Sequence, residues 1–180
     1  MSIDTHTLIW LLPASFMVHD FEEIMFWEPW MNRHAGELKR RVPKFMATHV
    51  DAFAGTSTAQ LSFVVCLIFS VTVVAALLAT AAVGHAFFLL ISGMFFVHGF
   101  GHIGQSVAMH KYVPGVITSA LIVIPYGLIL YWRLVGDGLV DLSSLCVYLL
   151  LGAVLIMPFI LVSHRVGAYL YPKAVRSLIR

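Results

Sequence analysis

The chain has little charge and almost no cysteine. Only 11% of its 180 residues are Asp, Glu, Lys or Arg, whereas 60% are hydrophobic, and a soluble domain of this size could not hide so much apolar surface from water. Both cysteines, Cys66 and Cys146, lie inside apolar runs, which excludes a disulfide framework. No basic segment precedes the first apolar run, so we expect that run to remain in the mature protein. The composition predicts an integral membrane protein.

Five apolar segments are long enough to cross a bilayer, which takes about 20 residues in a helix. They cover residues 8–27, 61–83, 86–108, 113–132 and 142–162. The sequence therefore predicts an all-α fold, a polytopic membrane helix bundle of about five transmembrane helices in a single domain over 1–180. A basic cytoplasmic loop is predicted over 28–58. Within it, residues 31–47 resemble a short interfacial helix, with a solvated loop as the alternative.

The basic residues are unevenly distributed between the two sides of the predicted bundle. One side carries Arg33, Lys39, Arg40, Arg41, Lys44, Lys111, Arg165, Lys173, Arg176 and Arg180, and the other carries Arg133. Because connections rich in Lys and Arg stay in the cytoplasm, we expect the N-terminus outside and the C-terminus in the cytoplasm, in a bacterial inner membrane. Charge that flanks membrane spans explains these residues without nucleic acid as a partner.

Ionisable residues in the first predicted span form one short motif. Such residues are expensive to bury in a bilayer and persist mainly where they have partners or a task. At 100° per residue, His19, Glu22 and Glu23 share one helical face of about 100°. Asp20 lies at the edge of that face and is a weaker candidate. The motif predicts a functional site on the first span.

The third span carries a matching set of polar residues. His98 and His102 are four residues apart and can chelate one metal ion, and Gln105 continues the same stripe. Gln105, His110 and Thr118 are secondary candidates. Thr118 enters the membrane near the level of the histidines, where its hydroxyl can orient a ligand or bond to its own helix backbone. His110 lies at the cytoplasmic end of the span, where interfacial histidine is common.

The two motifs should lie at the same depth in the membrane. Spans one and three run in the same direction, and at 1.5 Å per residue His19 and His98 lie about 17 to 18 Å from the outer ends of their spans. Nitrogen and oxygen ligands without sulfur suit zinc, iron or manganese. The sequence predicts a site for one or two divalent transition-metal ions, first of all zinc or iron, between these spans. Its predicted ligands are His19, Glu22, Glu23, His98 and His102.

The run His19-Asp20-Phe21-Glu22-Glu23 resembles the signature of the HXXEE family of small integral membrane proteins. That family has a later histidine motif similar to the one that ends at His102, and a Tyr-x-Pro-Gly-x-x-Thr element similar to residues 112–118. The resemblance covers about residues 8–132. It implies metal-dependent catalysis without naming a reaction. It favours His102 as a ligand over His98, where the family pattern more often has asparagine.

These observations favour a membrane-embedded metalloenzyme, either a hydrolase or a di-metal oxidoreductase, that acts on a lipid-like or isoprenoid-like substrate. Glu22 and Glu23 are its predicted catalytic residues, because a glutamate that does not bind metal can act as general base. A cation or proton transporter that uses Glu22, Glu23 and His102 is one alternative. A metal-free acid/base isomerase and a hydrogen-bond network that only joins the spans are two others. Membrane lipid and an apolar small molecule are the expected partners, and self-association is compatible with each hypothesis.

Overall fold

The computed structural model describes residues 3–81 and 83–179, apart from the side chains of residues 45 and 46. Over that part of the chain the fold is all-helical. The helices are α1 (Thr5–Arg41), α2 (Lys44–Ala54), α3 (Thr58–Thr80), α4 (His85–Met109), α5 (Val116–Gly136) and α6 (Leu142–Leu178). Within α5, the segment Ser119–Val123 is π-helical.

Four of these helices, α3 to α6, are long and apolar enough to cross a membrane, which indicates a membrane protein. They correspond to four of the five predicted spans, although α6 continues well beyond the predicted end at residue 162. The remaining predicted span, 8–27, is the first half of α1. Its Asp20, Glu22 and Glu23 make it more polar than the other four.

α1 is longer than the sequence predicted. Its 37 residues extend about 55 Å, so the helix runs past Trp27 into residues predicted as a basic loop. α1 ends at Arg41 because Pro43 disfavours the helical conformation at Val42, which is extended at φ −83° and ψ 155°. The structure thus has the second half of α1, a short break and α2 where a loop with a short interfacial helix was expected.

The second half of α1 is helical because it has its own apolar core. Trp30, Met31 and Leu38 of α1 pack with Val50 of α2 and with Met109 at the end of α4. All five side chains are buried. Burial of these side chains offsets the cost of ordering a polar stretch that would be marginal as an isolated helix.

The main core lies among α1, α3, α4, α5 and α6, where Leu12, Phe88 and Leu130 are fully buried. α1 packs chiefly on α3, and α4 packs chiefly on α6. The second pair crosses at two glycines, since a Cβ atom on Gly152 would lie 2.9 Å from the carbonyl carbon of Gly93. Small residues at such crossings let helix backbones approach closely.

Two glutamates of α1 close the N-termini of other helices. Glu28 accepts hydrogen bonds from the backbone nitrogen and hydroxyl of Thr58 at the start of α3, at 2.7 and 2.6 Å. Glu22 does the same at the start of α5. The first N–H groups of a helix have no partner within it, and the helix dipole favours a carboxylate there. These hydrogen bonds tie α1 to the starts of α3 and α5 and so help to position the site.

Candidate metal centre

Three histidines and one glutamate meet between α1, α4 and the start of α5. His19 and Glu23 lie one turn apart on α1, and His98 and His102 lie one turn apart on α4. One ligand atom from each lies within 4.8 Å of the other three. His19, Glu23 and His102 are buried and His98 is partly buried. We call these four residues the His/Glu group.

Glu23 Oε1 lies at the centre of the His/Glu group. It is 2.8 Å from the Nε2 atom of His102, 3.6 Å from that of His98 and 3.9 Å from that of His19. The Nε2 atoms of His98 and His102 are 2.8 Å apart. Imidazole nitrogen and carboxylate oxygen are the donor types that zinc and iron accept in proteins.

A buried nitrogen supports the fit of a metal to this group. His19 Nε2 has no hydrogen-bond partner among the described residues, although its side chain is fully buried. Buried polar atoms in proteins almost always have a partner, and a metal ion among the other three ligand atoms would supply one. The His/Glu group can therefore hold a metal ion.

Thr118 fixes which nitrogen of His19 faces the group. The Thr118 hydroxyl lies 2.6 Å from Glu22 Oε2, and since an ionised carboxylate only accepts, the hydroxyl donates its one hydrogen there. It must then accept from His19 Nδ1, which is 3.0 Å away. With the hydrogen on Nδ1, a neutral His19 carries its lone pair on Nε2, the atom that faces Glu23 and the other histidines.

Glu22 lies apart from the His/Glu group, although the sequence predicted it as a ligand. Its Oε2 accepts from the Thr118 nitrogen at 2.8 Å, and its Oε1 accepts from the Tyr112 hydroxyl at 2.9 Å and the Ile117 nitrogen at 3.3 Å. Partial burial and the hydrogen bond to Glu22 raise the pKa of Tyr112, which keeps this hydroxyl a donor. Glu22 anchors the start of α5, and four of the five predicted ligands come together.

Gly115 covers the His/Glu group with backbone. Its φ of +87° lies in the left-handed region, and a Cβ atom there would lie 2.9 Å from His102 Cε1 and 3.0 Å from His19 Cε1. Both the backbone conformation and the space require glycine. The preceding turn is held by the Trp30 indole, which donates to the Tyr112 carbonyl at 2.7 Å.

The sequence predicted no role in the site for Tyr112 or Gly115. The signal that could have found them was the Tyr-x-Pro-Gly-x-x-Thr element, which ends at Thr118. Of the secondary candidates, Thr118 contacts both His19 and Glu22, so its hydroxyl does more than bond to its own helix. His110 is exposed and ends α4 in a left-handed conformation.

An apolar cavity of about 360 Å³ lies against the His/Glu group. Glu23, His98 and His102 form part of its wall, and the rest is mainly apolar side chains of α1, α3, α4 and α6. Gln105 and Asp20 also line it. Asp20 is buried, and its Oδ2 has no hydrogen-bond partner among the described residues. The His/Glu group thus faces an apolar space, with a second carboxylate nearby.

Comparison with known proteins places the site in a family. No curated protein and no solved structure matches the chain. A family model described as a protein of unknown function with HXXEE motif matches residues 10–130, more than half of the chain. The match contains the whole His/Glu group together with Glu22, Tyr112, Gly115 and Thr118. The chain belongs to the family of proteins of unknown function with an HXXEE motif.

Proposed function

We propose that the protein is a membrane-embedded, metal-dependent hydrolase that acts on a lipid-like or isoprenoid-like substrate. The observation that carries this proposal is the His/Glu group, whose ligand atoms lie within 4.8 Å of one another on the wall of an apolar cavity. His19, Glu23, His98 and His102 are the proposed ligands of a zinc or iron ion. The apolar wall takes the hydrocarbon part of the substrate and excludes bulk water.

The hydrogen bonds of Glu22 favour one metal ion over two. Carboxylates that bridge two ions would favour a two-metal site, but both oxygens of Glu22 are already hydrogen-bonded to Tyr112 and the start of α5. One carboxylate, that of Glu23, remains in the group. This supports hydrolysis rather than di-metal oxidation.

Asp20 is the proposed proton acceptor. A divalent ion in such a site makes water a nucleophile at neutral pH by lowering its pKa, and hydrolysis then requires a base. Asp20 lines the same cavity as Glu23 and leaves one oxygen unpartnered among the described residues. Glu22 and Thr118 are positioning residues, because they orient His19 and neither of them lines the cavity.

Elemental analysis of the detergent-purified protein tests the proposal. We expect roughly one zinc or iron per chain, retained in Asp20→Asn and lost in Glu23→Gln and His102→Ala. His110→Ala is a matched control for His102→Ala, because His110 is an exposed histidine at the end of α4, the helix that contains His102.

Three results would count against the proposal. Wild-type protein that binds no metal when purified without chelators would favour the metal-free acid/base isomerase instead. Full metal content in both Glu23→Gln and His102→Ala would remove the ligand assignment. Cation flux into proteoliposomes that stops in Glu23→Gln would favour the transporter.

A further inference from the structure

A second, smaller pocket adjoins the apolar cavity near the N-terminal end of α3, where Gln60 lies. Its volume is about 100 Å³, and its polar lining residues include His49, Gln60, His164 and Arg165. Phe53 and His164 line both spaces, with their ring centroids 4.7 Å apart. The two spaces therefore share one wall made of two side chains.

The small pocket is basic. Arg165 and two histidines line it together with the amide of Gln60, and none of the described lining residues is acidic. Arg165 forms no ion pair with any other described residue. His164 Nδ1 is buried without a hydrogen-bond partner among the described residues. The guanidinium of Arg165, an exposed residue, suits an anion with several oxygen acceptors, and His164 Nδ1 can donate to the same anion when it carries the hydrogen.

The walls of both spaces change from polar to apolar along the same two helices. On α6, His164 lines the small pocket, and Ile160 and Ile156 continue the same face into the cavity over about 12 Å. On α3, Gln60 lies at the small pocket and Ile68 lies in the cavity. The two spaces together have one basic end, and the remainder is mainly apolar apart from the His/Glu group, Asp20 and Gln105.

We infer that the two spaces bind one molecule, an anionic amphiphile. Its carboxylate or phosphate head group lies in the small pocket beside Arg165, and its hydrocarbon chain lies in the apolar cavity. This inference rests on the proposed function and names the substrate class of the same site as an anionic lipid.

The bond to be hydrolysed is an ester or amide bond in the chain near the head group, where water adds to the carbonyl and the alcohol or amine leaves with a proton. Glu23 precedes Trp27 by one helical turn, about 6 Å, and the ring of Trp27 lies 6.3 Å from that of His164. The His/Glu group is thus close to the basic end of the combined space. A chain that enters from the small pocket passes the group on its way into the cavity.

Quenching of tryptophan fluorescence by brominated lipids tests the inference, because Trp27 and Trp30 line the cavity. The protein as purified in detergent is titrated with brominated palmitate and with the brominated alcohol of equal chain length. We expect saturable quenching with at least about tenfold tighter binding of the acid, a difference of roughly 1.4 kcal/mol. Arg165→Gln should remove this preference, and Arg176→Gln, further along the same helix, should keep it.

Acetate and inorganic phosphate distinguish a lipid head group from a free anion. When the wild-type protein is saturated with the brominated acid, we expect neither acetate nor phosphate, added at the same concentration as the acid, to displace it. Displacement by either at equal affinity, equal binding of acid and alcohol, or an unchanged preference in Arg165→Gln would each overturn the inference. Gln60→Leu, a second change at the pocket, should also weaken binding of the acid and leave the alcohol unaffected.

Metal analysis of the same samples separates this inference from the proposed function. Arg165-dependent binding of the acid by protein that never holds metal keeps the amphiphile site and overturns the hydrolase. Metal held by the His/Glu group, in protein that binds the acid and the alcohol equally, overturns the amphiphile site and leaves the proposed hydrolase in place.

Discussion

At the residue scale, the two adjacent glutamates of the motif face different helices. Neighbouring side chains on a helix point about 100° apart, so Glu23 meets the histidines of α4 while Glu22 meets the start of α5. One glutamate contributes an oxygen to the His/Glu group. The other holds Thr118, which in turn orients His19. In the proposed metal site, one glutamate is therefore a ligand and the other supports His19, a second ligand.

Glutamine substitutions should separate these two roles. Glu23→Gln is expected to abolish stoichiometric metal binding. Glu22→Gln should keep the metal but weaken its affinity by about 10 to 100 times, the usual effect of losing a residue that orients a ligand. Competition with a chromophoric chelator measures both. Equal loss of metal in the two variants would make Glu22 a ligand and contradict the assignment.

Gly115→Ala should impair both stability and metal binding. A residue with a Cβ atom costs about 1–2 kcal/mol in the left-handed conformation, and here the Cβ would also press on the rings of His19 and His102. Gly138→Ala is the matched control, since Gly138 has a φ of +68° and no described atom lies within 4 Å of its Cβ position. Both variants should lower the thermal midpoint, and only Gly115→Ala should lower metal affinity. Unchanged metal affinity in Gly115→Ala would show that the turn does not position the histidines.

The residues of the His/Glu group could be predicted from the sequence because each pair is spaced by one helical turn and the two pairs were matched in depth. The same face contained Glu22, and only the position of α5 decides that this side chain binds elsewhere. Asp20 was placed at the edge of the face, and its burial depends on helices distant in sequence. Helical periodicity predicts which way a side chain points from its own helix, but it does not predict which residue of another helix that side chain contacts.

At the scale of the elements, the second half of α1 holds the turn that leads to Gly115. Glu37 Oε2 lies 2.6 Å from Lys111 Nζ, and Glu37 Oε1 lies 2.9 Å from Arg41. Arg41 also donates to the Ala108 carbonyl at 2.5 Å, at the end of α4. The hydrogen bond from Lys111 lowers the pKa of Glu37 below its usual range. These contacts tie α1 to the connection between α4 and α5.

Glu37→Gln should therefore lower the thermal midpoint of the protein at neutral pH. Because the pKa of Glu37 is lowered in the folded state, its contribution is present above the usual carboxyl pKa and is lost as the pH falls through the folded value. The effect should be small and should shrink with added salt, since Glu37 and its partners are partly exposed. Thermal melts of both proteins over a series of pH values test this. An equal difference at neutral and strongly acidic pH would contradict the ion-pair explanation.

The apolar helices could be predicted from hydropathy, but the length of α1 could not. Residues 28–41 are too polar to resemble a span, and their helix depends on Trp30, Met31 and Leu38 packing against α2 and the end of α4. That surface exists only after the chain has folded back on itself. A local hydropathy pattern predicts a helix that is apolar enough to lie in the bilayer. It does not predict a helix that is stabilised by packing against another segment of the chain.

At the scale of the whole molecule, the uneven distribution of Lys and Arg is the basis for the orientation we propose. We propose α1 as a fifth crossing beside the four apolar helices, which would place the two termini on opposite sides of the membrane and the C-terminus, with its basic connections, in the cytoplasm. In a bacterial host, green fluorescent protein fused to the C-terminus should fluoresce, and alkaline phosphatase fused there should be inactive. Active phosphatase at this position would contradict both the orientation and the count of five crossings.

X-ray absorption spectroscopy at the metal edge is the sharpest test of whether the His/Glu group holds one metal ion. For the purified wild-type protein we expect a first shell of nitrogen and oxygen ligands at about 2.0–2.1 Å, with the multiple scattering of imidazole rings. Fitting should give about three imidazoles per ion, and His102→Ala should lose the ion. A first shell with sulfur, or one of oxygen atoms without imidazole scattering, would contradict the account.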